Sequence, residues 1–423
     1  MVLFMKAVNL GLAAAAVPKD LNITDHASVQ GVSKTIAADA MSFYKGSAAE
    51  YVDLAPPYWW WQMGALTGAM LDYSHYTRDK SYDDVLATAL VAQVGPNFNF
   101  MSPKHQGQLG NDDLGFWGFA VLSAAERNFP QPESNIPSWL KMGENIFNSL
   151  ASRWDTTSCG GGLPWQIYES NPNGLNYKNS VSNAGFFQLA ARLARATGNQ
   201  TYADWATKIY DWSTTVGFID SKFHVVDGAD RRDDCKKLNP VSFTYSSGIY
   251  MYGAAVMANH TNGNKTWTDR TLGFVESQKQ YFGPFNNATN VLYEPACELV
   301  GSCNVDMKSH KGQLSRFMWA STLLVPAAAK PVADLLNPSA EAAARSCTGG
   351  NKGTQCGFRW YVGGFDGDTG LGPEMCALET IQGALAATAE PPLRGDAIKD
   401  VRKPRAGTAP PATRRRMARA FQA

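Results

Sequence analysis

Neither cysteine nor histidine is arranged in this chain to hold a metal. The seven cysteines and six histidines include no C-x-x-C pair and no His-rich segment. That argues against a structural zinc site and leaves disulfides as the better use of Cys159, Cys235, Cys297, Cys303, Cys347, Cys356 and Cys376. Charge is scarce as well: 18% of the 423 residues are charged and the formal net charge is +1. The balance hides a basic stretch from Pro391 to Ala423, with nine Lys and Arg against two Asp and Glu. The body is therefore mildly acidic, and no nucleic-acid partner is expected. Past the N-terminus no run approaches the ~20 apolar residues of a membrane span. No sustained period-two alternation marks a large sheet.

What the chain does have points outward from the cell. An alanine-rich apolar run after Lys6 ends in small residues near Ala16, the pattern of a secretory signal over residues 1–16. Five N-x-[ST] sequons, at Asn22, Asn199, Asn259, Asn264 and Asn287, agree with secretion and with surface loops. Cys297 with Cys303 and Cys347 with Cys356 are the expected local disulfides, and the odd count leaves at least one thiol unpaired within the chain.

Apolar periodicity of 3.6 residues predicts about twelve helices, near 28–46, 60–77, 81–93, 112–127, 137–153, 179–197, 201–217, 243–259, 265–281, 309–327, 331–346 and 373–387. Two kinds alternate. One is amphipathic, as where Tyr202, Trp205, Ile209 and Trp212 share a face opposite Asp204, Lys208 and Asp211; the other, as in "FWGFAVLSAA" and "LSRFMWASTLLV", is apolar nearly all round. Six outer helices alternating with six inner ones describe an all-α fold, an (α/α)6 barrel, as a single domain over residues 17–390. The basic Pro-, Ala- and Arg-rich residues 391–423 are expected to form a disordered tail. The stretches entering the inner helices, among them "PPYWWWQMG", "GNDDLGFWG" and "DMKSHKGQLSR", are dense in aromatic, amide and charged residues. In a ring of parallel helices they would meet at one mouth, with the positive helix ends aimed into it. Such a lining suits a neutral, polyhydroxylated ligand.

Within "GQLGNDDLGFWGF", Asp112 and Asp113 stand side by side where an inner helix begins. A plain helix cap would explain them locally. At the predicted mouth, however, two carboxylates are the apparatus of glycoside hydrolysis, and neighbours in sequence stay close enough for a retaining double displacement. Like charges this close also drive one pKa upward, giving one protonated acid and one ionised nucleophile.

"GNDDLGFWG", "CGGGLPWQI", "YKNSVSN", "VVDGAD", "FTYSSGIY" and "CELVGSCNVDMKSHKGQLSRFMW" occur in the order seen in glycoside hydrolase family 76. The chain most resembles the family's fungal cell-wall branch, over roughly residues 30 to 388. The resemblance implies an (α/α)6 barrel acting with retention on α-1,6-linked mannose, with Asp112 as nucleophile, Asp113 as general acid/base and Asp227 holding mannose hydroxyls. Trp60, Trp61, Trp117 and Trp165 are candidate stacking platforms, and Tyr245, Asn179 and Asn183 candidate hydroxyl ligands. Lys311 and Arg316 are candidate cationic donors at the rim; no histidine is assigned, and no metal or cofactor is expected. The implied donor is α-1,6-mannan or the mannose core of a glycosylphosphatidylinositol glycan, with β-glucan as a possible acceptor. The implied activity is transglycosylation in wall assembly, with hydrolysis by an endo-α-1,6-mannanase or simple mannan binding as alternatives. An α-helical terpene synthase is disfavoured because neither "NDDLGF" nor "RRDDC" has DDxxD spacing. The expected location is secreted or in the cell wall. The outer face of the plasma membrane enters only with a lipid anchor, whose hydrophobic signal residues 391–423 lack.

Overall fold

The computed structural model describes residues 16–131, 135–171 and 174–402. Among them twelve α-helices occur: α1 (His26–Met41), α2 (Trp60–Thr77), α3 (Asp83–Ala92), α4 (Asn111–Glu126), α5 (Trp139–Ala151), α6 (Ser180–Thr197), α7 (Gln200–Thr215), α8 (Thr244–His260), α9 (Lys265–Gln278), α10 (His310–Thr322), α11 (Ala329–Ser346) and α12 (Leu371–Gln382). The even-numbered helices are buried along nearly their whole length. Each packs on the next, and α12 closes against α2, so the six form a ring. The odd-numbered helices lie outside it, each against its inner neighbours. This is the expected (α/α)6 barrel, and a helix lies at each predicted position.

Local chemistry sets where helices start. Ser138, Asn199 and Asn264 cap α5, α7 and α9 by accepting backbone N–H bonds, which offset donors that no helical carbonyl can reach. Asn199 and Asn264 are also sequon residues, and both are exposed. No helix among the described residues is long and apolar enough to cross a membrane.

Three short strands sit at the N-terminal end of the ring: β1 (Tyr177–Asn179), β2 (Gly228–Asp230) and β3 (Leu238–Asn239), antiparallel in the order β1-β2-β3. Gly228 faces Asn179 across the ladder. A Cβ there would lie 2.3 Å from the Lys178 carbonyl oxygen, so only glycine lets the strands close. Cys159–Cys235 ties the segment before β1 to the turn between β2 and β3. Lys178, buried beneath, donates to the carbonyls of Asp155, Ser158 and Gly161 and pairs with Asp155 at 3.0 Å. Cys297–Cys303 and Cys347–Cys356 are bonded as expected, and the odd thiol is the buried Cys376.

Below the mouth the ring is filled by ion pairs as well as by apolar side chains. Arg316 of α10 meets Asp72 of α2 at 2.7 Å and Glu379 of α12 at 3.5 Å, and Arg127 also pairs with Asp72. Arg192 of α6 forks onto Glu126 of α4 and donates to Ser123. Residues 391–402 differ from expectation. Instead of starting a disordered tail, they run across the helix ends opposite the mouth. Leu393 donates to the Glu126 carbonyl, Arg195 donates to the carbonyls of Pro392 and Leu393, and Val401 accepts from Gln131. Composition signalled disorder there, but C-terminal helix ends leave carbonyls and Arg195 in need of partners, and this segment supplies them. The rest of the expected tail, and all but the last residue of the expected signal segment, lie outside the described residues.

Asp72 is the shared counter-ion of two buried guanidinium groups, so Asp72→Ala should lower unfolding free energy by about 3–5 kcal/mol. The urea midpoint checks this. Asp334→Ala, which removes an exposed pair with Lys330, should leave the midpoint in place.

Candidate active site

The entries of five inner helices line a cavity of about 740 Å³ at the mouth: Trp59 and Trp61 at α2, Asp112, Asp113 and Phe116 at α4, Tyr177 and Asn179 at α6, Phe243 and Tyr245 at α8, and Asp306 and His310 at α10. Hydrogen bonds lock these entries to one another. Gln108 accepts from the Trp60 N–H, Gln62 donates to Ser309, and Trp61 Nε1 donates to Asp306 at 2.9 Å. The sixth entry contributes no lining residue. Its Leu371 N–H is held by Tyr58, and Glu374 is buried against the Cys356 N–H.

Asp112 and Asp113 occupy the first turn of α4, with Gly110 as N-cap. Asn111 fixes the entry: its N–H donates to the Trp165 carbonyl, its amide to the Pro164 carbonyl, and Arg153 donates to its oxygen. Asp113 Oδ2 accepts the Gly110 N–H. Asp112 Oδ1 is buried without a hydrogen-bond partner. Burial raises the Asp112 carboxyl to about 7, helped by the nearby Asp306 and opposed by the backbone N–H groups of residues 112 and 113. Burial, followed by the neighbouring Asp112 charge, raises Asp113 well above the usual carboxylate range. The helix dipole is thus outweighed by loss of water.

The facing wall carries two more acids. Asp227 Oδ2 accepts from Tyr177 Oη at 2.6 Å and from the Asn239 amide at 2.9 Å, and burial raises its pKa. Burial likewise raises Asp306. An aromatic row joins the walls: Trp61 to Phe116 at 4.5 Å, Phe116 parallel to Tyr245 at 6.4 Å, and Tyr245 face to face with His310 at 3.9 Å. Gln108, Gln166, Ser170 and Asn171 add neutral hydrogen-bonding groups. Among the described residues, no cluster of three or more His, Cys, Asp or Glu side chains is arranged to hold a metal.

Of the residues singled out in the sequence, Asp112, Asp113, Asp227, Trp61, Trp165, Asn179 and Tyr245 come together in this cavity. Five others do not. Trp60 turns away, donating to Gln93 and stacking on His105, and the fully buried Trp117 packs beside it. The two diverge because Gln93 and His105 hold Trp60 away from the cavity while Asp306 holds Trp61 at it. Asn183 is buried and bonds Leu163 and Asn179, cross-linking rather than lining. Lys311 is wholly buried, paired with Glu298 at 2.9 Å and lying over Trp360. Arg316 belongs to the Asp72 network. Neither cation reaches the rim, because each is turned onto a buried carboxylate that local sequence does not reveal.

The lining residues that sequence reasoning missed are chiefly Trp59, Tyr177, Asp306 and His310. Trp59 stands 47% exposed at the edge, so within "WWW" the first and third tryptophans line the cavity and the second does not. Asp306 and His310 are spaced by four within the quoted "DMKSH", a spacing that places them on one face of a helical turn.

A closed ring of helices whose mouth holds a buried and a half-buried carboxylate between aromatic and amide walls defines a glycosidase of helical-barrel type. The sequence profile of Glycosyl hydrolase family 76 matches residues 28–396, and the chain belongs to that family. It is 41% identical over 377 residues to the mannan endo-1,6-alpha-mannosidase DCW1 of Eremothecium gossypii, spanning 88% of this chain and 82% of the relative. To the DCW1 of Saccharomyces cerevisiae it is 40% identical over 366 residues, spanning 86% and 80%. The crystal structure of Dfg5 from Chaetomium thermophilum in complex with glucosamine is similar at a TM-score of 0.85 and 37% identity, with 92% of this chain and 98% of that one covered. The fold is shared, at a TM-score of 0.66 and 18% identity, with an inactive variant of the α-1,6-mannanase GH76A of Salegentibacter sp. in complex with α-1,6-mannotriose. In that variant two consecutive aspartates are asparagine, and the match covers 84% of this chain and 98% of that one.

A carboxyl whose folded pKa is raised burdens the fold once pH passes its unfolded value. The unfolded chain then releases the proton while the folded one retains it. Stability attached to Asp112 is therefore full below about pH 4 and declines as pH rises toward 7. Asp112→Asn should be more stable than wild type at pH 8 by about 1–3 kcal/mol, and the gain should vanish near pH 4. Melting temperatures across that range check the sign.

Proposed function

We propose that this family 76 glycosyl hydrolase, a mannan endo-1,6-α-mannosidase, cleaves α-1,6-linked mannose with retention through Asp112 and Asp113 and passes the glycosyl group to a sugar acceptor. The observation that carries the retaining reading is the convergence of the pair on Gly110. Asp112 Oδ1 and Asp113 Oδ2 lie 2.5 and 3.1 Å from the point a Gly110 Cβ would occupy, which puts these oxygens at most about 5.6 Å apart. Between carboxyl groups an inverting pair needs about 6.5–9.5 Å to seat a water and a retaining pair stands about 5–5.5 Å apart, and so close an approach of the two nearer oxygens favours the retaining arrangement.

Burial and the neighbouring Asp112 charge raise Asp113 well above the usual carboxylate range, which supports it as the proton donor to the leaving oxygen. Asp112, raised only to about 7, supplies the carboxylate that attacks C1. Donation from Asp113 leaves it ionised. It then takes the proton from an incoming hydroxyl as that oxygen attacks C1 and Asp112 departs. If the hydroxyl is water the result is hydrolysis; if it belongs to a sugar, transfer. The aromatic row from Trp61 to His310, with Trp165 and the exposed Trp59, offers apolar faces to sugar rings. Asp227 has one oxygen engaged by Tyr177 and Asn239, and its other oxygen serves a mannose hydroxyl. Asn179 and Tyr245 add polar contacts.

The donor in this reading is α-1,6-mannan or the mannose core of a glycosylphosphatidylinositol glycan, and the acceptor a wall β-glucan, at the cell surface of a fungus. The α-1,6-mannotriose bound by the Salegentibacter variant and the naming of the DCW1 relatives support the donor. Three disulfides support a compartment outside the cytosol.

Wild-type protein given α-1,6-mannotetraose should release products in the α configuration, seen by proton NMR before mutarotation, and with added β-glucan oligosaccharide should form a conjugate detected by mass spectrometry. Asp112→Asn and Asp113→Asn should each lose about 10²–10⁴-fold in rate. Shortened mannan without conjugate would reduce the activity to hydrolysis, and binding without either product would end the enzymatic reading.

A further inference from the structure

Two glycines flank the loop that delivers the acids, and they differ in what surrounds them. A side chain on Gly107 would meet nothing within 4 Å. One on Gly110 would meet three oxygens: Asp112 Oδ1 at 2.5 Å, Asp113 Oδ2 at 3.1 Å and the Trp165 carbonyl at 3.1 Å, the first closer than the 3.0 Å that real Cβ atoms keep. The backbone does not ask for glycine. At φ −106° and ψ 176°, Gly110 is in the extended region open to every L-residue. Glycine is needed only for the space.

We propose that Gly110 is a positioning residue: the volume of its missing side chain is what admits the Asp112 and Asp113 carboxylates to the same spot, within reach of one sugar carbon and its leaving oxygen. Two further features make the notch functional rather than merely tight. Gly110 donates its own N–H to Asp113 Oδ2, so one acid is clipped to the notch. Asp112 Oδ1 has no hydrogen-bond partner, so no bond to that oxygen opposes its displacement, while the rest of the carboxylate is drawn by the backbone N–H groups of residues 112 and 113 and by Trp165. The surrounding backbone is pinned from behind by Asn111, which bonds Trp165, Pro164 and Arg153. A methyl group at Gly110 therefore displaces the Asp112 carboxylate, whose Oδ1 is unbonded, before it displaces the fold.

The ionisable groups facing the pair come from the entries of α6, α8 and α10 and the strands beside them. They are Asp227 ahead of β2, Tyr177 on β1, Tyr245 on α8, and Asp306 and His310 at α10, with Arg153, just past α5, behind Asn111. None of these is among the three atoms nearest a methyl at Gly110. A change in the pair's titration would thus report the pair's own separation and hydration.

Gly110 has this role in catalysis only if Asp112 and Asp113 are the reacting pair, the reading proposed above. Two measurements on Gly110→Ala keep the ideas separable. In kinetics on α-1,6-mannotetraose, kcat should fall about 10–100-fold, the scale of a misplacement near 1 Å, with KM within about threefold. The basic limb of the kcat/KM profile should move to lower pH by about half a unit or more, because the acids are further apart and wetter. In thermal melts between pH 4 and pH 8, Gly110→Ala should lose less of its melting temperature with rising pH than wild type does. Unchanged kcat and pH profile, or a lower kcat with the basic limb unmoved, would overturn the proposal. An inactive wild type would sink the functional reading alone, since the melts still judge the notch. Should Gly110→Ala fail to fold, the double variant Gly110→Ala/Asp112→Ala removes the oxygen the methyl strikes and should recover the fold. Equal failure of the double variant would also overturn the proposal.

Discussion

Six helices pointing the same way inside a closed ring is the constraint on which the rest of this molecule depends. Parallel packing gathers six sets of unpaired N–H groups at one end and six sets of unpaired carbonyls at the other. The chain meets these ends with opposite charge. Asp112 and Asp113 lie in the first turn of α4 and Asp306 just ahead of α10. Arg127 follows α4 and Arg195 lies in the last turn of α6, while the segment after α12 closes over that end. The acids of the mouth and the cations of the floor are two responses to one arrangement of backbone dipoles.

The dipoles do not make the mouth hospitable to ionised carboxylates, however. Burial outweighs them at both Asp112 and Asp113, which raises both carboxyls above their range in water. The same loss of water strengthens whatever charge forms there during reaction. A stability penalty and a reactive site are thus one feature, and the penalty is carried by a frame that does not rely on the site. The Asp72, Arg316 and Arg127 cluster, the Arg192–Glu126 pair and the Lys178 lock all sit beneath or beside the cavity.

The loops that shape the cavity are short of regular structure but not of restraint. Trp165 is held by backbone bonds to Asn111 and Tyr177, Asp306 by Trp61, and Asp227 by Tyr177 and Asn239. The Cys159–Cys235 and Cys297–Cys303 bridges close the two segments that carry the longest excursions. Placement of the reacting groups therefore follows from the ring and its cross-links, with the first turn of α4 as the point where both converge.

Much of this was legible in the sequence. Helical period and the alternation of wet and apolar faces determine the twelve helices and their nesting, because those signals are local and repeat every 3.6 residues. The adjacent acids, the aromatic-rich entries and the two short-range disulfides were equally local. What only the tertiary structure decided is which neighbour each side chain meets. Trp61 rather than Trp60 faces the cavity, because Gln93 and His105 claim Trp60 and Asp306 claims Trp61. Lys311 and Arg316 are buried charges with partners in Glu298, Asp72 and Glu379, one 13 and the others more than 60 positions away along the chain. Asn183 is a cross-link to Leu163. Residues 391–402 look disordered by composition yet are held by helix ends, whose unpaired groups exist only once the ring has formed. Periodicity tells a residue which face of its own helix it occupies; the burial of a charge, or the emptiness above a glycine such as Gly110, depends on chain that arrives from elsewhere.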